Sequence, residues 1–212
     1  MKQGYFVTGT DTEIGKTAVS CALLRAFADC GLKAAGMKPV SSGGEDAQRL
    51  AASASVMLAD ELLNPCSFRA PIAPHIAARE EGLEIDFERI LSAYEAIEAD
   101  IVIVEGVGGL LVPLNGSQDV AHLAASLGLP VILVVGMRLG AINHARLTFE
   151  ALKSRGLTCA GWVANRIDPG MMAFDAVLTT IERFIDAPLL DVVPFDPEGR
   201  YRIDVARLVK PR

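Results

Sequence analysis

The 212-residue sequence holds no run of about 18 uninterrupted apolar residues, so no segment reads as a membrane-spanning helix. Its four cysteines, Cys21, Cys30, Cys66 and Cys159, are scattered with no CxxC spacing, which removes the redox-motif and zinc-knuckle readings and points to reduced thiols. A basic stripe is missing too. Acidic residues outnumber basic ones, 26 to 20, and the formal charge of -6 argues against a nucleic-acid partner. Only three histidines occur, His75, His122 and His144, too far apart in sequence to form a metal-ligand pattern; each reads as a surface or helix-packing residue. No signal-peptide core precedes the first apolar run, so a cytoplasmic location is expected. Repeats, low-complexity tracts and linkers are also absent. With 51% apolar residues, the expectation is one domain over residues 1–212 with a well-filled core.

What is present begins with a glycine-rich turn, Gly9-Thr10-Asp11-Thr12-Glu13-Ile14-Gly15-Lys16-Thr17, between an apolar run (Tyr5, Phe6, Val7) and a helical stretch. Strand, Gly-rich loop, Lys-Thr, then helix is the context that makes a phosphate-binding loop credible. Backbone N–H groups at a helix start face one way, and the helix dipole adds partial positive charge. Lys16 can set a point charge against terminal phosphates, and the Thr17 hydroxyl can coordinate the Mg2+ that accompanies a nucleotide. The common pattern has four residues between its first glycine and the Gly-Lys pair, whereas five lie between Gly9 and Gly15, so the loop is a variant.

Apolar runs alternate with amphipathic stretches along the rest of the chain. Helices are expected over residues 16–30, 45–55, 86–98, about 141–154 and 174–185, and strands over 34–40, 101–104, 131–135, 158–164 and 189–193. Continuous apolar strands separated by helices predict an α/β fold: a single-domain phosphate-loop NTPase-like protein with a mainly parallel sheet and helices on both faces. Ligands then bind beyond the carboxyl ends of the strands. Thr12 to Thr17, Lys38, Glu105 and Asn165 all fall just after strand ends, a placement that core packing does not demand.

Glu105 follows four β-branched residues and can reach a metal held by Thr17. Asp46, opening a helix after Ser41-Ser42-Gly43-Gly44, is either a second ligand or an ordinary helix-start residue that favours the dipole. Lys38, at a strand end before Pro39, suggests with Lys16 two cations converging on one anionic site to stabilise phosphoryl transfer; the plainer alternative is a lysine reaching out to water. Asn165 can donate to and accept from a base edge, or simply make a turn. Trp162, the only tryptophan, lies inside an apolar strand and reads as core.

Several segments, in order, resemble dethiobiotin synthetase: Gly9 to Thr17, Lys38 to Gly43, Pro74-His75-Ile76, Glu105 to Gly109, Pro130 to Gly136, Leu139 to His144 and Gly161 to Asn165. The five-residue loop spacing is that family's form. The resemblance implies ATP-dependent ring closure of 7,8-diaminononanoate with CO2, through a carbamate and a mixed anhydride with phosphate, late in biotin synthesis. It implies nucleotide binding by Asp11, Glu13, Ile14, Gly15, Lys16, Thr17, Asn165 and Glu198, the last as a ribose contact. Thr12 and Lys38 would hold the carbamate with Lys16 near the γ-phosphate, making these three the catalytic set, and Ser42 would lie close to the diamine. Thr17, Asp46 and Glu105 match magnesium positions, with Glu45 as the alternative to Asp46. The family is a homodimer with its active site at the subunit interface, where Gly140, Ala141, Ile142 and Asn143 would receive the substrate carboxylate. The main rival is a partitioning-type ATPase that acts on membrane or DNA. Those proteins carry an extra lysine early in the loop, where this chain has Thr10-Asp11-Thr12, and no basic amphipathic C-terminal helix appears. An amidotransferase synthetase is a second rival, but no nucleophile-elbow cysteine supplies a glutaminase function.

Overall fold

A computed structural model describes residues 2–196 and 201–209. Six strands form one parallel sheet: β1 (Gln3–Gly9), β2 (Ala34–Met37), β5 (Ile101–Glu105), β6 (Val131–Met137), β7 (Cys159–Arg166) and β8 (Leu189–Val193), in the order β2-β5-β1-β6-β7-β8. β3 (Val40–Ser42) and β4 (Cys66–Phe68) make a separate two-stranded parallel sheet. The helices are α1 (Lys16–Asp29), α2 (Asp46–Ser53), α3 (Asp60–Leu63), α4 (Pro74–Glu80), α5 (Phe87–Ala96), α6 (Val120–Leu127), α7 (Ala141–Ser154) and α8 (Phe174–Glu182).

β5 and β6 are buried at every position, because both sheet faces are covered. On one face Phe6, Val102, Val104, Leu133 and Trp162 pack with α5, α6 and α7. On the other, Val7, Ile103, Ile132 and Val163 meet Val19, Leu23 and Phe27 of α1. The C-terminal segment closes this second layer: Ile203, Val205 and Leu208 are buried, and the Leu208 carbonyl accepts from Tyr5 Oη at 2.7 Å.

The strand expected over 34–40 divides. Pro39 has no N–H for a ladder, so β2 stops at Met37 and the chain turns into β3. That break leaves Lys38 at the carboxyl edge of the main sheet. His122 belongs to the cap of α6: its backbone N–H donates to Asp119 Oδ1 at 3.0 Å, and Arg155 donates to Asp119 Oδ2 at 2.9 Å. All four cysteines are free thiols, and no helix among the described residues is long and apolar enough to cross a membrane.

Candidate functional site

Strand β1 ends at the sheet centre, and the loop after it turns into α1 through Gly15. Gly15 has φ of 87°, and a Cβ there would stand 2.1 Å from Asn165 Nδ2. Both the backbone and the neighbour therefore require glycine. Asn165, from the end of β7, donates Nδ2 to the Ile14 carbonyl at 2.8 Å, so the turn is pinned from the adjoining strand. No side chain caps α1, and the amides of its first turn keep their anion-binding capacity. Asp11 carries a second tie: its carboxylate accepts from Thr12 N and pairs with Arg138, which follows β6.

Four side chains from different elements meet at one point. Thr17 Oγ1 lies 2.8 Å from Glu105 Oε1 and 2.9 Å from Asp46 Oδ1. Lys38 Nζ donates to Glu105 Oε1 at 2.6 Å, Asp46 Oδ2 at 2.8 Å and the Gly106 carbonyl at 3.2 Å. Lys38 and Glu105 are almost fully buried, whereas the Asp46 side chain is partly exposed. Burial alone would lower the Lys38 pKa, but the adjoining carboxylates outweigh it and hold the ammonium above its ordinary value. Burial likewise opposes ionisation of Asp46, and Lys38 reverses the direction, leaving that carboxyl below its usual range. Lys16 lacks such partners. Burial, followed by repulsion from Lys38, lowers it to about 8, while its Nζ donates to the Asp11 carbonyl at 2.8 Å.

Thr17, Asp46 and Glu105 suit a hard cation. Glu105 Oε2 is buried with no hydrogen-bond partner among the described residues, so one carboxylate oxygen is free to ligate. Two carboxylates and a hydroxyl are too few for a protein-only cage. That number matches Mg2+, which retains water and takes phosphate oxygens. Glu45, by contrast, is exposed, stands just outside α2 and does not line the cavity that holds this cluster.

These side chains line a cavity of about 380 Å3 with Thr12, Glu13, Gly15, Ser42 and Arg49. Ser42 Oγ is buried without a partner. Gly140, Ala141, Ile142 and Asn143 do not join it. They line a separate, larger cavity of about 840 Å3 at the start of α7. Glu198 lies outside the described residues. Arg138 and Arg49 escaped the sequence reading, although Arg138 follows a strand end just as Lys38 does.

A central parallel strand, a glycine-capped phosphate loop and a Thr–Asp–Glu cluster define the class: a phosphate-loop nucleotide-binding protein. Solved structures of similar fold include the MinD cell division protein of Aquifex aeolicus in complex with MinC (TM-score 0.61, 16% identity, 92% of this chain and 83% of that one) and a ParA family ATPase of Chlorobium tepidum (TM-score 0.57, 14% identity, 93% and 87%). At such identity the likeness concerns the fold alone. A family model described as AAA domain matches residues 3–199. The ATP-dependent dethiobiotin synthetase BioD of Aromatoleum aromaticum is 56% identical over 203 residues, covering 91% of this chain and 90% of that protein. The protein of the same name from Nitrosospira multiformis is 50% identical over 220 residues, covering 98% and 97%. The chain belongs to the dethiobiotin synthetase family.

Proposed function

We propose that this chain, as a single domain over residues 1–212, closes the cyclic urea of dethiobiotin from 7,8-diaminononanoate and CO2 at the expense of ATP. One amine takes up CO2 as a carbamate. A carbamate oxygen forms a bond to the γ-phosphorus as ADP leaves, and the second amine then attacks the carbonyl carbon and expels phosphate. The observation that carries this reading is the convergence of Thr17, Lys38, Asp46 and Glu105 beside the loop, in a chain 50 to 56% identical to proteins bearing that name.

The amides of Asp11 to Thr17 and the Lys16 ammonium hold the phosphates, and Asn165 faces the base. Lys38 and Thr12 hold the carbamate, with Ser42 beside the diamine. Lys38 suits this task because its ammonium stays protonated while buried, and so offers full charge to the developing anion. Thr17, Asp46 and Glu105 hold Mg2+, which neutralises charge on the transferring phosphoryl group.

The working unit is a homodimer. The N–H groups at the start of α7, Gly140 to Asn143, receive the substrate carboxylate of the partner's site. Two features support this. Gly140 begins the helix at φ of 92° with no side-chain cap, and Leu139, Leu147 and Met172 around it are exposed, Leu139 by 96%. The enzyme works in the cytoplasm with its thiols reduced. Phosphate release from MgATP with bicarbonate, with and without 7,8-diaminononanoate, tests the function. Diamine-dependent release with one cyclic urea per phosphate is expected; release indifferent to the diamine overturns the reading.

A further inference from the structure

One cation in the nucleotide cavity has no task so far. Arg49 lies one helical turn after Asp46 on α2, so the two project from the same face. Its backbone is anchored beside α1, where Cys21 Sγ donates to the Arg49 carbonyl at 3.3 Å. Cys21 sits one turn beyond Thr17, which puts Arg49 farther along α1 than the metal cluster. The Arg49 side chain lines the same 380 Å3 cavity as Gly15, Lys16, Thr17 and Ala18.

The other two cations of that cavity are engaged, Lys38 by Asp46 and Glu105, and Lys16 by the Asp11 carbonyl. The Arg49 guanidinium donates no hydrogen bond and forms no ion pair among the described residues, and the side chain is exposed. It is nevertheless close enough to Asp46 and Cys21 for its charge to be felt at both. Within a phosphate loop the lysine serves the terminal phosphates, and the inner phosphates lie against the first amides of the helix. Ala18 marks that inner end here, and Arg49 is the cation that borders it. Guanidinium suits the place, because its planar fork matches two phosphate oxygens at once and costs less to dehydrate than an ammonium.

We propose that Arg49 is a nucleotide-binding residue that grips the α- and β-phosphates of ATP and ADP across the cavity from the loop amides. The proposal rests on the nucleotide reading of this cavity. It assigns Arg49 to binding rather than to the phosphoryl step. ATP and ADP should then depend on it equally, since both carry those two phosphates. Alanine at this exposed helix position should leave the fold intact.

Calorimetric titration of wild type, Arg49→Ala and Arg49→Lys with ADP and with a non-hydrolysable ATP analogue, each with Mg2+ and with EDTA, tests the assignment. Arg49→Ala should weaken both ligands about tenfold, with and without the metal, and Arg49→Lys should recover part of the loss. Affinity within twofold of wild type would overturn the proposal. So would a loss confined to the ATP analogue, which marks a γ-phosphate contact, or one that vanishes in EDTA, which marks an effect through Asp46 and the metal. Failure of the wild-type protein to bind either nucleotide would instead defeat the reading of the cavity.

Discussion

Lys38 sits between two carboxylates with almost no access to water, and replacing it by methionine keeps the stem while deleting the charge. Glu105, wholly buried, would then have only the Thr17 hydroxyl beside it. Breaking a buried pair by removing one partner costs about 3–5 kcal/mol, because the remaining charge is stranded. Asp46 adds little to that figure, since its side chain is 38% exposed and water compensates. For a chain of this length 1 kcal/mol moves the melting midpoint by about 2–4 °C, so Lys38→Met should melt about 6–20 °C below wild type in metal-free buffer. Two further results follow if the cause is the stranded charge. Millimolar Mg2+ should recover part of the loss by supplying a new counter-charge at Glu105. The double variant Lys38→Met/Glu105→Leu should be more stable than the single one, because no unpaired ion remains. Differential scanning calorimetry reads all three. A Lys38→Met midpoint within about 2 °C of wild type would refute the reasoning.

Lys16, lowered to about 8, is fully charged below that pH and loses its proton above it. MgATP affinity should therefore be level up to about pH 8 and then fall by up to about tenfold per unit, a decline that Lys16→Arg removes. The same shift makes stability rise between about pH 8 and the unfolded lysine value near 10.4, where only the unfolded chain holds the proton. Gly15→Ala should abolish nucleotide binding and cost about 1–3 kcal/mol of stability through its left-handed backbone; Gly15→Ala/Asn165→Ala should be less than additive by denaturant titration, since the clash disappears. Asp119→Ala removes the cap of α6 and should cost about 1–2 kcal/mol without touching turnover. Leu139→Glu/Leu147→Glu should halve the mass measured by light scattering and remove activity, whereas an unchanged mass would exclude that face as the dimer contact.

The fold was legible wherever a signal was local. β5 and β6 announce themselves by unbroken apolar runs, and α7 matches its expected span. The phosphate loop is a contiguous word, so its placement at the end of β1 followed from sequence. The shorter elements were harder. β3 and β4 have three residues each and exist through pairing with one another, 26 positions apart. α6 is only eight residues long, and its start depends on a reciprocal Asp119–His122 cap. At the site, strand-end position singled out Lys38 and Glu105, but no spacing says that Lys38 binds carboxylates rather than lying free beside Lys16. Nor does it say that Asp46, rather than Glu45, is the carboxylate that meets Thr17 and Lys38. Arg49 was invisible because an arginine on a helix face is ordinary until the cavity beneath it is known.

The position of β1 also bears on how the protein comes into being. This strand holds the loop, yet Gln3 pairs with Ile101 and Phe6 pairs with Val131, so its neighbours lie roughly a hundred or more residues away. α1 packs on it from nearby in sequence, but neither strand that pairs with it is close along the chain. As the chain leaves the ribosome, β1 emerges long before β5 and β6, so its ladder is completed late and the loop waits for them. Nucleotide can be captured only after β5 and β6 have flanked that strand. Ligand protection of this protein against proteolysis would thus report that the centre of the sheet is complete, and partial chains ending before residue 131 would gain none.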